Sequence, residues 1–290
     1  MTEFRRASRY RQCQWREAHG YPMGTQPIVP RAGKPSRLVG SRLPLDFALD
    51  TGATFVSAHA LAAARNRTSF VEPHQSFDHQ RFWADLLWSP AMACNLFGDL
   101  SADLALADRV VHKWWPDTPG VVSEVRFSHS PGWLDPSYLK SLRVFDAAFV
   151  LDLPDGAQGV IGVDVKYHEA AKAETPKPEN MWRYREVLER SGVFRPTTLD
   201  AVGRSTLSVT WLEHLLLLSM LQHESKQWRW GRYVVIHPEG NTDHADICSR
   251  YRSLLVDDAT FASMTLENLL RSRALPAKTV AALRERYVAD

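Results

Sequence analysis

Cysteine is scarce in this chain, and its few copies stand far apart. Cys13, Cys94 and Cys248 form no Cys-x-x-Cys pair, and no histidine lies at zinc-site spacing from them. That argues against a cysteine-bound metal and for a reducing, cytoplasmic setting. Long apolar runs are missing too. The longest, around 215–220, is far too short to span a bilayer, and the Arg-rich N-terminus lacks the apolar stretch of a signal peptide. No membrane association is expected. Charge of one sign is also short: 35 Lys and Arg against 33 Asp and Glu leave a net +2. With no global basic field, any nucleic-acid face must come from local arginine clusters. Internal repeats and groove-reading motifs are absent.

What is present suits a soluble globular protein, with 44% hydrophobic and 23% charged residues. At 290 residues, one domain with elaborations fits better than two full cores. The elaborations are an N-terminal extension over about 1–46 and a C-terminal helical segment over about 243–290. The order of helices, three strands, helices, strand and helices predicts an α/β sandwich, a mixed central β-sheet flanked by helices.

The centre of the chain is 144–169, VFDAAFVLDLPDGAQGVIGVDVKYHE. Two apolar, β-prone runs flank Pro154-Asp155-Gly156, which predicts two strands and a turn. Strand side chains alternate between faces. Ile161, Val163, Val165 and Tyr167 therefore point one way, and Gly162, Asp164 and Lys166 the other. In the first strand Phe145, Ala147, Phe149 and Leu151 form the greasy face, which leaves Asp146 opposite with Ala148 and Val150. Only an odd-numbered loop, centred on Asp155 or Gly156, sets Asp146 across from Asp164 or Lys166 on one face. Small Ala148 and Gly162 are expected to leave room there. Two carboxylates in a small site repel each other, and a hard divalent cation relieves that repulsion. Such a cation polarises a phosphoryl oxygen and acidifies a bound water, while a lysine stabilises charge developing on a phosphate. The pattern suits metal-assisted phosphodiester cleavage; the competing account is a surface hairpin with a solvated Asp and Lys.

Asp146, a hairpin, then Asp164-Val165-Lys166 resembles the PD-(D/E)xK nuclease superfamily. From about 94 to 270 the chain is similar to a bacterial restriction endonuclease family within it, on FSHSPG (127–132), FDAAF (145–149), GVDVKYHE (162–169) and VVIHPEGN (234–241). The resemblance implies a restriction-endonuclease-like core and a DNA endonuclease using Mg2+ (or Mn2+). It implies Asp146, Asp164 and the Val165 carbonyl as metal ligands and Lys166 as the residue positioning the attacking water. A homodimer would cut both strands. Two departures stand out. Asp164 replaces the usual Glu, a conservative change for a ligand. Ser128 replaces an expected Glu, and if that Glu is a ligand or base its loss puts activity in doubt. A nucleic-acid-binding protein with a decayed nuclease site is the alternative.

Glu124 shares a strand face with Ser128 and is a candidate substitute acid. Glu169 either assists the metal or lysine or ends the strand in solvent. A preceding helix offers Asp78 and Asp85, with surface charge as the competing account. Arg183, Arg185, Arg190 and Arg195 cluster around a helix over 181–190 and are candidate phosphate contacts, against a solvated helix face. Trp133 and Tyr138 either stack on a base or cover the core. Residues 3–19 read as a solvated or partner-binding helix, and 20–46 as an extended wrapping segment. The run 207–222 is apolar on nearly every side and should be a buried helix, with His214 and His223 structural. Lastly, Phe47-Ala48-Leu49-Asp50-Thr51-Gly52-Ala53 carries the signature of retropepsin-like aspartic proteases, in which paired aspartates activate water. The helical pattern that follows it speaks against that fold, and a turn before the helix is the plainer account.

Overall fold

A computed structural model describes residues 2–26, 37–75 and 77–288. Five strands form one sheet: β1 (Val121–His129), β2 (Phe145–Asp152), β3 (Gln158–Val165), β4 (Trp228–His237) and β5 (Phe261–Thr265). They lie side by side in chain order. β1, β2 and β3 are antiparallel neighbours, whereas β3, β4 and β5 run parallel. Short turns suffice for the antiparallel part. The parallel part requires crossovers, supplied by helices Met181–Ser191 and Ser208–Leu221 before β4 and by Thr242–Arg252 before β5. The expected mixed sheet flanked by helices is the architecture found.

The two central strands are buried on both faces, which is why they read as almost continuous apolar runs. On one face Ala147, Phe149, Ile161 and Val163 pack with Leu96 and Phe97 of helix Ser89–Ala102 and Val110 of helix Leu104–Trp114. On the other, Ala148, Val150, Val160 and Val235 pack beneath Trp211, Leu215 and Leu218 of helix Ser208–Leu221. A third cluster, with Trp15, Leu43, Phe55, Phe82 and Trp83, lies nearer the N-terminus.

Four expectations change. The tail is not wholly helical, because Phe261–Thr265 joins the sheet as an edge strand. Its five residues contain Ala, Ser and Met, so β4 rather than local preference makes it a strand. The helix over 77–88 shrinks to His79–Ala84. Pro90 then sits in the first turn of Ser89–Ala102, where its missing N–H costs nothing. The N-terminal helix, Glu3–Ala18, is docked rather than solvated. Its Gln12 is fully buried and bonds the Tyr167 hydroxyl at 3.1 Å and the Arg286 carbonyl at 2.9 Å. In the wrapping segment 20–46, residues 27–36 lie outside the described residues. The rest contains a two-residue strand pair, Gly24–Thr25 with Leu38–Val39, and the start of helix Leu45–Thr51.

Candidate active site

Loop parity decides whether a site exists at all. The β2–β3 register runs from Asp152↔Gln158 to Ala147↔Val163, so the loop 153–157 has an odd number of residues and is centred on Asp155. Gly156 takes φ +80° in it, a conformation that favours glycine. One step further along the register, Asp146 faces Asp164. The Asp146 carboxylate also accepts a bond from the Val165 N–H at 2.9 Å.

Lys166 follows Asp164 on the same face. Its Nζ lies 3.2 Å from Asp164 Oδ2 and 3.5 Å from Glu213 Oε2. Glu213 enters from helix Ser208–Leu221 and was not anticipated. The Tyr233 hydroxyl from β4 sits between the acids, 2.8 Å from Asp164 Oδ2 and 2.9 Å from Glu213 Oε2. A phenol has a single proton. If it donates to Asp164, Glu213 must donate to it and carry a proton of its own. The electrostatics agree. Burial and the Asp164 charge push the Glu213 carboxyl well above its usual range. Burial would raise Asp164 as well, but Lys166 and the hydrogen bonds from Glu213 and Tyr233 outweigh it and hold Asp164 low. Burial works against the Lys166 charge, yet Asp164, Glu213, Asp146 and Glu169 together raise its pKa. Asp146 is pushed up to about 8 by burial and by the neighbouring Asp164.

The room expected over Gly162 is filled. A Cβ there would come within 2.8 Å of the Phe145 ring. Phe145 thus packs with the Ala148 face, not with Ala147 and Phe149 as alternation from Phe149 implies. At the outer end, Arg143 Nη1 stands 3.7 Å from Glu213 Oε1 and its guanidinium also binds Glu174.

The remaining candidates scatter. The β1–β2 register brackets Ser128 opposite Asp146, between Phe127↔Ala147 and His129↔Phe145. A Glu at 128 would therefore stand beside the acids, whereas the Ser side chain is short and its backbone takes φ +49°. Glu124 pairs with Val150, four residues along the strand from Asp146 and so roughly 13 Å away, and it binds Arg126 at 2.6 Å. Glu169 stays near the site, accepting from Ser89 Oγ at 2.5 Å and from the His168 N–H at 3.1 Å. Asp78 caps helix His79–Ala84. Asp85, rather than lying on the surface, is buried against Arg42 and Arg81.

The arginine cluster divides. Arg183 is buried, and donates to the Tyr138 and Ser137 carbonyls at 2.5 and 2.7 Å and to Glu186 at 2.7 Å. It cannot reach a phosphate without releasing that loop. Arg190 leans on Glu186 and Arg195 on the Ser253 carbonyl, while Arg185 is exposed. Tyr138 stacks on His223 with ring centroids 4.3 Å apart, and His214 bonds Tyr251 and Thr260. The Asp50-Thr51-Gly52 motif closes helix Leu45–Thr51, with Gly52 as its left-handed cap. Asp50 is exposed there, on a helix end rather than the buried loop an aspartic protease needs, so that alternative is withdrawn.

A mixed sheet carrying Asp146, Asp164 and Lys166 around one hairpin has the layout of a PD-(D/E)xK nuclease. The family model of the PD-(D/E)XK nuclease superfamily matches residues 2–289, and the chain belongs to that superfamily. No curated protein and no solved structure matches it.

The missed residues left unequal traces. Glu213 is the sole acid in the apolar run 207–222, and a buried acid in such a helix needs a partner. Tyr233 and Arg143 left none, since their roles depend on how the crossover helix sits on the sheet.

Proposed function

We infer that the protein is a divalent-cation-dependent endonuclease that hydrolyses phosphodiester bonds in DNA. The observation that carries this reading is the odd hairpin, which sets Asp146 across from Asp164 with the Lys166 ammonium 3.2 Å from the latter. No group of three or more His, Cys, Asp or Glu side chains stands ready to hold a metal among the described residues. The donor chemistry nevertheless fits one. Three carboxylates, Asp146, Asp164 and Glu213, face the two cations Lys166 and Arg143, so acid is in excess, and hard oxygen donors suit Mg2+ or Mn2+.

Asp146, Asp164 and the Val165 carbonyl would hold the ion, with Glu213 as a further carboxylate. When bound, the ion would polarise a phosphoryl oxygen and acidify a water. Lys166 orients the attacking water and offsets charge on the phosphate. Tyr233 fixes the Asp164 carboxylate, and Arg143 anchors Glu213. A restriction or defence role would call for cutting both strands, which a homodimer working on cytoplasmic DNA would supply.

The test is nicking of supercoiled plasmid with Mg2+, with EDTA, and by Lys166→Ala. Metal-dependent nicking that disappears in the variant is expected; equal nicking by the variant would exclude this lysine. Ser128 favours one second reading, a nucleic-acid binder with a decayed site. Plasmid binding without cleavage under any divalent metal would support it.

A further inference from the structure

Beside the acids runs a groove of about 290 Å3, lined in part by Leu142, Arg143, Lys177, Tyr184 and Leu212. It is continuous with the site, because Arg143 reaches Glu213 and Leu212 precedes it in the helix. Ser141 lines it as well, the turn 137–140 runs up to that residue, and the shape of the turn is held from outside. Arg183 binds the carbonyls of Ser137 and Tyr138, and Asn180 Nδ2 binds that of Lys140 at 2.7 Å. These bonds hold Lys140 at φ +52°, a strained conformation for a lysine, and its ammonium lies 5.9 Å over the Trp182 ring.

Trp182 is 54% exposed, unusual for so large an apolar ring, and Arg185 lies one helical turn further along the same face. Exposed Lys177 completes a cationic border. Of the acids nearby, Glu174 is bound to Arg143 and Glu186 to Arg183 and Arg190, which leaves exposed Glu179 against the three cations Lys140, Lys177 and Arg185. An exposed indole with a cation over one face and further cations beside it suits unpaired bases, which stack on a ring while phosphates follow the charges. A duplex offers no free base face to such a ring.

Resting on the nuclease reading, we propose that this groove takes an unpaired strand, with one base stacked on Trp182 and its backbone led past Lys140 and Lys177 to Arg143 at the site. The preferred substrate then carries a single-stranded segment next to the cut, as a flap, a gap or a free strand.

Full-length Lys166→Ala in EDTA, where no cleavage is expected, provides the test. Anisotropy titrations compare dye-labelled oligo(dT) with a blunt duplex at one fixed salt concentration. The expected result is tighter binding of oligo(dT) and a roughly tenfold loss of that preference with added Trp182→Ala, in line with one stacked base. Trp182→Phe should retain most of it. Because the ring is exposed, the fold should tolerate both changes, which circular dichroism checks. A duplex preference in the parent, or an unchanged preference with Trp182→Ala, overturns the proposal. Metal-dependent plasmid nicking by the unmodified protein would still stand in that case, so the two readings fail separately.

Discussion

Two buried charge clusters in this molecule use similar residues in opposite balance. In the N-terminal region Asp85 meets Arg42 Nη1 at 3.5 Å and Arg81 Nε at 3.1 Å and accepts the Leu87 N–H at 3.1 Å. One acid faces two cations, and around it the backbone of 41–43 is pinned to 84–86 by Leu43 N–H to Ala84 and Leu86 N–H to Ser41. In the hairpin region the ratio is reversed. Asp146, Asp164 and Glu213 face two cations, Lys166 among them and Arg143 at the outer end beside Glu213, and Asp146 and Glu213 are raised by burial and by their neighbour Asp164. A cluster that only fastens backbone has no use for surplus acid, since unpaired buried charge is destabilising. Surplus acid is what a site that binds a cation and activates water needs. Composition does not separate the two clusters; stoichiometry does.

The contrast predicts opposite outcomes when each cation is removed. Lys166→Ala should lower cleavage by about 1,000-fold, at the upper end for loss of one preorganised electrostatic contact, as read by plasmid nicking. Arg42→Met should leave nicking per folded molecule intact and lower stability by about 2 kcal/mol, because Arg81 still faces the buried Asp85. Urea unfolding reads that change. If Arg42→Met destroyed cleavage in a folded protein, both clusters would be functional and the distinction would collapse.

The acids supply a pH test that sharpens it. Asp146 titrates near 8 in the folded protein, against about 3.9 when unfolded. Its folded pKa is raised, so its contribution to stability is complete below the unfolded value and is lost as pH rises through the folded one. The metal-free protein should therefore melt at falling temperature between about pH 4 and about pH 8 and level off above that, by at least a few degrees. Added Mg2+ should restore much of the loss by mass action. Asp146→Asn should reduce both responses, leaving the part that the likewise raised Glu213 carboxyl supplies, and an unchanged slope in that variant would remove Asp146 as a source.

Part of this arrangement was legible from residue order alone. The Pro154-Asp155-Gly156 turn and strict alternation were enough to put Asp164 and Lys166 on one face, though not to fix loop parity, which depends on the paired register. β5 was hidden because parallel pairing is a property of the partner strand and its crossover. Arg183 misled for a simpler reason. Four basic residues clustered in sequence say nothing about inside and outside until the apolar stripe is drawn. Arg183 lies one turn before Val187, next to Tyr184, on the buried side. That stripe was available in the sequence and would have separated it from Arg185. The Phe145 ring over Gly162 had no such signal, since it departs from the alternation that guided every other strand assignment.

The smallest expected effect concerns the acid that alternation favoured most after the aspartates. Glu124 shares the strand face of Ser128, which makes it a candidate stand-in for the missing Glu. Position along the strand removes it: pairing with Val150 sets it roughly 13 Å from Asp146, and its side chain is half exposed and bound to Arg126. That Arg126 contact, with burial opposing it, holds the Glu124 carboxyl below its usual range, so it is ionised and paired at neutral pH. Glu124→Gln should therefore change nicking by less than about twofold and stability by under about 0.5 kcal/mol, whereas Glu213→Gln should cost about 10-fold or more in nicking. The pair decides which acid stands in for the one Ser128 lacks. A large loss with Glu124→Gln and none with Glu213→Gln would mean that the edge strand shifts on the substrate to bring Glu124 in, and that the acid of the crossover helix belongs with Asp85 among the residues that only hold the fold.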